Sequence, residues 1–167
     1  MEILLVLHNI RSCYNVGSIL RTAEGFGLKR VILSGYTPRP HDIRALPHLR
    51  EKIDKEIHKT ALGAEDLVKT ISIDDIKTLI VKCRTEGVTI VGLENNIGGK
   101  VYELNDPKLK GVLSDKIILI LGEEVGGIDE ELHNLINYFV EIPMYGKKES
   151  FNVSVATGIA IYGIMNL

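Results

Sequence analysis

The sequence predicts a single α/β domain, residues 1–167, built on a mostly parallel sheet with helices on both faces. Three observations carry that expectation. Continuous apolar runs recur at Ile3–Leu7, Val88–Leu93 and Ile117–Leu121, the pattern of strands covered on both sides. Between such runs, apolar residues recur at helical spacing: Val16, Ile19, Leu20, Ala23 and Phe26 in one segment, Ile76, Leu79, Ile80 and Cys83 in another. Glycines gather just past an apolar run, at Gly122, Gly126 and Gly127, where open α/β sheets bind ligands.

In chain order, Ile3–Leu7 is the first strand, and polar residues His8–Tyr14 break it. Asn15 is placed to cap the helix that follows, and Gly27 to end it. Arg30–Ser34 completes a β-α-β unit. Gly35–Leu49 holds three of the five prolines and reads as a long loop; Arg50–Lys59 reads as a short exposed helix or connector. Val68–Ile73 is the expected edge strand, Asp74–Glu86 a helix stopped by Gly87, Val88–Leu93 a covered strand and Asn95–Lys100 a turn.

The C-terminal third is the densest stretch. The strand Ile117–Leu121 enters the glycine turn, a short helix follows, and the strand Tyr138–Ile142 ends at Pro143, which has no N–H to donate. A polar loop then opens an apolar helix, with Asn152 as its N-cap and Ser150 just before it. Two loops and a helix start therefore converge on one sheet edge.

At 167 residues with 45% hydrophobic side chains the chain can fill one core. The formal charge of −2 is not that of a strongly basic nucleic-acid binder. Its distribution is uneven: Lys29–Lys59 holds eight Lys/Arg against four Asp/Glu, a local +4 that leaves −6 for the remainder. Cys13 and Cys83 lack metal-site spacing, no metal is expected, and with no cleavable signal pattern the default is a reduced, cytoplasmic protein. Val153–Met165 is too short for a membrane span, which needs about 20 residues.

Three stretches resemble the ordered motifs of the SpoU/TrmH family of SPOUT RNA methyltransferases: HNIRSCYNVGSILRTAEGFG near the N-terminus, GEEVGGI, and IPMYG followed by ESFNVSVATGIAIY. The resemblance implies a C-terminal deep trefoil knot, a homodimer using the helix after Asn152 with the Asn15 helix, and methyl transfer from S-adenosylmethionine to a ribose 2′-hydroxyl of tRNA or rRNA. Onto this chain it carries catalytic roles for Arg21, Glu124, Ser150, Asn152 and Asn15. Glu124 would orient Arg21 or hold a backbone donor, and Arg21 would act as a base or as an electrostatic stabiliser. Cofactor contacts fall on Leu93, Glu94, Gly122, Ile142, Met144, Phe151 and Asn152. Val125 stands where the family commonly has glycine, and Phe151 where it has leucine. RNA is expected to meet Arg11, Arg39, Arg44 and Arg50, with Arg11 and the Lys147-Lys148 loop as the alternative surface. Other readings of the glycine loops are a non-catalytic nucleotide or CoA-type binding module and an inactive knotted RNA-binding protein.

Overall fold

The computed structural model describes residues 1–95, 97–98 and 101–167. Among the described residues seven strands form one sheet: β1 (Glu2–His8), β2 (Arg30–Ser34), β3 (Lys69–Ile73), β4 (Thr89–Leu93), β5 (Val101–Glu103), β6 (Lys116–Leu121) and β7 (Tyr138–Glu141), in the order β3-β2-β1-β6-β4-β7-β5. Every pairing between them is parallel. The helices are α1 (Cys13–Gly25), α2 (Pro47–Ala61), α3 (Ala64–Leu67), α4 (Ile76–Thr85), α5 (Leu109–Val112), α6 (Glu130–His133) and α7 (Val153–Met165).

Alternation along the central strands builds two cores. Leu5, Leu7, Val31, Leu33, Leu119 and Val140 pack with α1, α2 and α7 on one face, whereas Val6, Ile32, Ile90, Ile118, Ile120 and Phe139 pack with α4 and α6 on the other. Both faces are dry, so the apolar runs are continuous rather than alternating. Fully burying one such aliphatic side chain contributes about 1.5–3 kcal/mol.

Several boundaries move from their sequence-based positions. Ser12, not Asn15, caps α1: its side chain accepts the N–H of Asn15, and the helix begins at Cys13. Asn15 is thereby released for another contact. The segment expected to be a short helix or connector is the 15-residue α2, started by Pro47 at its first turn and closed by Leu62 in the left-handed region. Charged residues masked its short apolar stripe, of which Ile57 and Ala61 are buried against α1. Gly17 permits that contact, since a Cβ there would lie 2.3 Å from the Ile57 carbonyl oxygen. The short edge strand β5 and the single turn α5 carry too few residues to show a period. Of the expected turn Asn95–Lys100, residues Asn96, Gly99 and Lys100 lie outside the described residues. No described helix is long and apolar enough to cross a membrane.

Candidate active site

The carboxyl ends of β4, β6 and β7 and the start of α7 enclose a cavity of about 330 Å³. Its wall includes Leu93, Glu94 and Asn95 after β4, Gly122 to Val125 and Gly127 after β6, Ile142 after β7, and Glu149 to Val153 leading into α7.

Local backbone chemistry shapes each wall. Glu123 and Gly127 exchange both N–H···O bonds at 2.9 Å, closing the glycine turn, and Gly127 sits at φ 72°, a conformation glycine adopts without Cβ strain. Gly122 lies under that turn so closely that a Cβ would come within 2.2 Å of the Gly127 carbonyl carbon. The amide of Asn95 pairs with the Ile142 backbone in both directions, at 3.0 and 3.1 Å, and donates to the Glu149 carbonyl at 3.3 Å. One side chain thus ties the loop after β4 to both ends of the loop after β7.

The three sequence stretches meet through one hydrogen-bonded chain. Glu124 accepts from Asn15 Nδ2 at 2.9 Å and from the backbone N–H groups of Arg11 at 3.1 Å and Ser12 at 3.3 Å. Asn152 Nδ2 donates to Asn15 Oδ1 at 3.2 Å, while its own Oδ1 caps α7 by accepting the Ser154 N–H and hydroxyl. Partial burial alone would raise the Glu124 carboxyl, but the bonds from Asn15, Arg11 and Ser12 outweigh it and hold it below the ordinary range. Glu94 goes the other way: burial pushes its carboxyl up, opposed by the Ile128 N–H, which donates to Oε2 at 3.0 Å, and by the nearby His133.

Of the expected cofactor contacts, Leu93, Glu94, Gly122, Ile142, Phe151 and Asn152 line the cavity, as do the expected catalytic residues Glu124 and Ser150. Met144 does not line it: past Pro143 the chain turns outward to Tyr145, which is 92% exposed. Arg21 does not pair with Glu124. Six residues separate it from Asn15, a rotation of about 240° on an α-helix, so it leaves α1 on another face; it is exposed and bonds to no described residue. Glu124 therefore serves the second expected role, holding backbone donors.

The four arginines expected to meet RNA differ in their surroundings. Arg39 is largely covered, its guanidinium turned to the Gly35 carbonyl at 3.3 Å and to Asp74 at 3.5 Å, and Arg44 is held by Asp42 at 3.1 Å. Both arginines share Asp42 of the same loop, which Arg39 meets at 4.0 Å, and Arg39 also reaches across to Asp74 beyond β3. Arg11 is paired with Glu123 at the turn, while Arg50 is half-buried with no described partner.

Sequence reasoning missed Asn95 as the tie between loops, for which the only signal was an asparagine two residues past a covered strand. It also missed His8, which bridges Ser34 Oγ at 2.7 Å and Asp129 at 2.9 Å, bracing the ends of β1 and β2 against the start of α6. Burial and Glu56 push the Cys13 thiol up to about 11, which disfavours the thiolate that a nucleophile needs.

An all-parallel α/β sheet with a glycine-walled cavity at its carboxyl edge, tied to the first helix by Glu124, Asn15 and Asn152, defines a ligand-binding domain whose three motifs act as one site. The chain belongs to the SpoU rRNA Methylase family, whose profile matches residues 2–162. It is 29% identical over 162 residues to the 23S rRNA (guanosine-2′-O-)-methyltransferase RlmB of Coxiella burnetii and 27% identical over 165 residues to that of Pseudomonas aeruginosa, matches that cover 97% and 99% of the chain. The chain spans 57% and 59% of the length of those relatives. By fold it is similar to the AdoMet-bound rRNA methyltransferase from Sinorhizobium meliloti, with a TM-score of 0.76 at 21% identity over 99% of this chain and 56% of that one. It is likewise similar to the TrmH/SpoU tRNA modifying enzyme of A. aeolicus, with a TM-score of 0.73 at 20% identity over 99% of this chain and 74% of that one.

Proposed function

We propose that the domain transfers a methyl group from S-adenosylmethionine to a ribose 2′-hydroxyl of RNA, with 23S ribosomal RNA the first substrate to test because the curated relatives carry that name. The observation that carries the reading is the charge of the cavity. Glu94, Glu123, Glu124 and Glu149 line it, Glu123 paired with Arg11 and Glu124 bonded to Asn15, and no Lys, Arg or His lines it among the described residues, so the wall stays net acidic. Such a wall favours a cationic ligand and disfavours phosphate, which argues against a nucleotide or CoA-type occupant. The volume lies at the low end of the range for small-ligand pockets, roughly 300–1,000 Å³.

When bound, S-adenosylmethionine supplies a methyl group activated by its sulfonium charge. The residues that would hold it are Leu93, Gly122, Ile142 and Phe151, through backbone and apolar contact, with the carboxylate of Glu94 facing its positive groups. Asn152 and Glu124 fix the wall on which the RNA must settle. Arg21, exposed and free of described partners, stands on α1 away from the cavity wall, and its charge would meet the ribose oxygen only where bound RNA spans that face; arginine resists deprotonation, so this role is electrostatic rather than basic.

A homodimer completes the proposal. Val155 and Tyr162 leave α7 as apolar side chains 50% and 62% exposed, which a second copy would cover. The trefoil knot belongs to the same proposal, supported by family membership and by the cross-ties of Asn95 to the loop after β7. So does a cytoplasmic location, where RNA of this kind is modified.

Incubation of the protein with tritiated S-adenosylmethionine and unmodified ribosomal or transfer RNA, followed by nucleoside analysis, tests it. Label in a 2′-O-methylnucleoside is the expected result. Cofactor binding without transfer to any RNA would leave a binding protein, and tight binding of nucleotides instead would reject the cofactor.

A further inference from the structure

We propose that RNA is guided to the cavity by one face of α2, a stripe of Lys52, Lys55 and Lys59 that ends on Tyr14. The inference rests on the reading of the domain as an RNA methyltransferase and says where on it the RNA lies.

Residues 52, 55 and 59 follow one another at helical spacing, so the three ammonium groups stand about one turn, or roughly 5–6 Å, apart along a single face. All three side chains belong to exposed residues, and none forms an ion pair with a described residue. Of the acids on the same helix, Asp54 is turned away and accepts the His41 N–H at 2.7 Å, whereas half-buried Glu56 stands one turn from Lys52 and Lys59 and is engaged with the Cys13 thiol. Glu51 is exposed one turn before Lys55 and offsets part of its charge, while Arg50 at the same end of the helix has no described partner, so the face stays net positive. In the same +4 segment Arg39 and Arg44 are neutralised by aspartates, so the charge left available to a partner is concentrated on α2.

The stripe leads to the cavity. Lys59 Nζ stands 5.7 Å from the centre of the Tyr14 ring and 3.4 Å from its hydroxyl, and Thr60 Oγ1 donates to the Tyr14 carbonyl at 2.8 Å. Tyr14 is 44% exposed and directly precedes Asn15, the residue bonded to both Glu124 and Asn152 at the cavity wall. A run of cations closing on an aromatic ring fits a polyanion whose units also stack, which is a description of single-stranded RNA. The ring gives a base a surface to lie on at the point where the strand must leave the stripe for the site.

The test measures binding of a fluorescein-labelled single-stranded RNA of about 20 nucleotides between 50 and 200 mM salt, for the wild type, for Lys52→Gln/Lys55→Gln and for the equal-charge control Lys69→Gln/Lys108→Gln. Each neutralised phosphate adds about −0.7 to the log–log salt slope on single strands, so the α2 pair should flatten it by about 1.4 and its deficit should shrink by about sevenfold across that range. Tyr14→Leu should weaken binding without changing the slope. S-adenosylhomocysteine affinity, read by calorimetry, should stay the same in every variant. An α2 variant with wild-type affinity and slope overturns the inference, as does a control variant that loses as much. Polyglutamate competing as well as RNA at equal charge would reassign the face to an acidic protein. A wild type that binds S-adenosylmethionine but no RNA would overturn the inference together with the RNA half of the reading beneath it.

Discussion

Asn15 and Asn152, 137 residues apart in the chain, share a 3.2 Å hydrogen bond that joins the first helix to the last. Each amide has a second duty, Asn15 donating to Glu124 and Asn152 capping α7, so the pair links the glycine turn to a helix N-terminus. Substitution of either should therefore be felt by the other. Asn152→Ala is expected to cost about 1 kcal/mol as a lost cap, Asn15→Ala a similar amount, and the double variant less than their sum, with a coupling of about 0.5 kcal/mol or more. Chemical denaturation of the four proteins measures it; strict additivity would mean that the bond contributes nothing.

The bond illustrates how far the sequence could be read. Strands β1, β2, β4 and β6 announced themselves, because a strand buried on both faces has no choice but an apolar run, and the glycine turn followed from its place after β6. Asn152 was legible as a cap because capping is local. What joins Asn152 to Asn15 was not, since nothing within ten residues of either signals the other. The same holds for Asn95 and Ile142, and for His8 between Ser34 and Asp129. The pairing of Arg39 and Arg44 was hidden for a related reason: their charge is visible in the sequence, whereas their partners Asp42 and Asp74 are a matter of how the chain folds.

Glu124 offers a prediction with a sign. Its folded carboxyl titrates below the ordinary value, so the ionised form stabilises the fold. That contribution is complete above the unfolded value, about 4.3 for glutamate, and disappears as pH falls through the lower folded one. Glu124→Gln should lower Tm at pH 7 by an amount equivalent to about 1 kcal/mol, the group being exposed, and the difference should vanish in acid. A gap between variant and wild type that persists at the lowest pH would assign the loss to shape rather than charge.

Glu94 has the opposite sign. Its raised carboxyl means that ionisation costs stability as pH climbs from the ordinary carboxylate value through the folded one, and Glu94→Gln should relieve that cost near neutrality. Ligand binding should respond inversely. The charge facing the cavity favours a sulfonium over a neutral thioether, so Glu94→Gln should weaken S-adenosylmethionine by about tenfold and S-adenosylhomocysteine by much less, with the wild-type preference growing as pH rises. Parallel calorimetric titrations would reject this if both ligands lost affinity equally.

Gly122→Ala tests the wall itself. The new Cβ would stand 2.2 Å from the Gly127 carbonyl carbon, which is backbone in a closed turn and cannot swing aside. Overpacking of this kind costs about 1–3 kcal/mol, and displacing the turn should also remove cofactor binding. A variant with unchanged melting and unchanged titration would show the turn to be looser than its two hydrogen bonds imply.

Arg21→Ala separates catalysis from architecture. Arg21 lines no part of the cavity, bonds to no described residue and is exposed on α1, so its loss removes no contact that holds the fold together. If its charge acts only on the transferring ribose, the variant should bind S-adenosylhomocysteine within about twofold of wild type, melt within the ±0.5 kcal/mol usual for surface changes, and lose kcat by about 100-fold or more. Arg21→Lys should recover part of the rate, since an ammonium restores charge without the planar fork that grips an oxyanion or phosphate in two places. Single-turnover methylation of RNA at saturating cofactor isolates the chemical step from binding. Rapid turnover by Arg21→Ala would remove the arginine from the reaction, and a fall confined to KM for RNA would make it a phosphate contact instead.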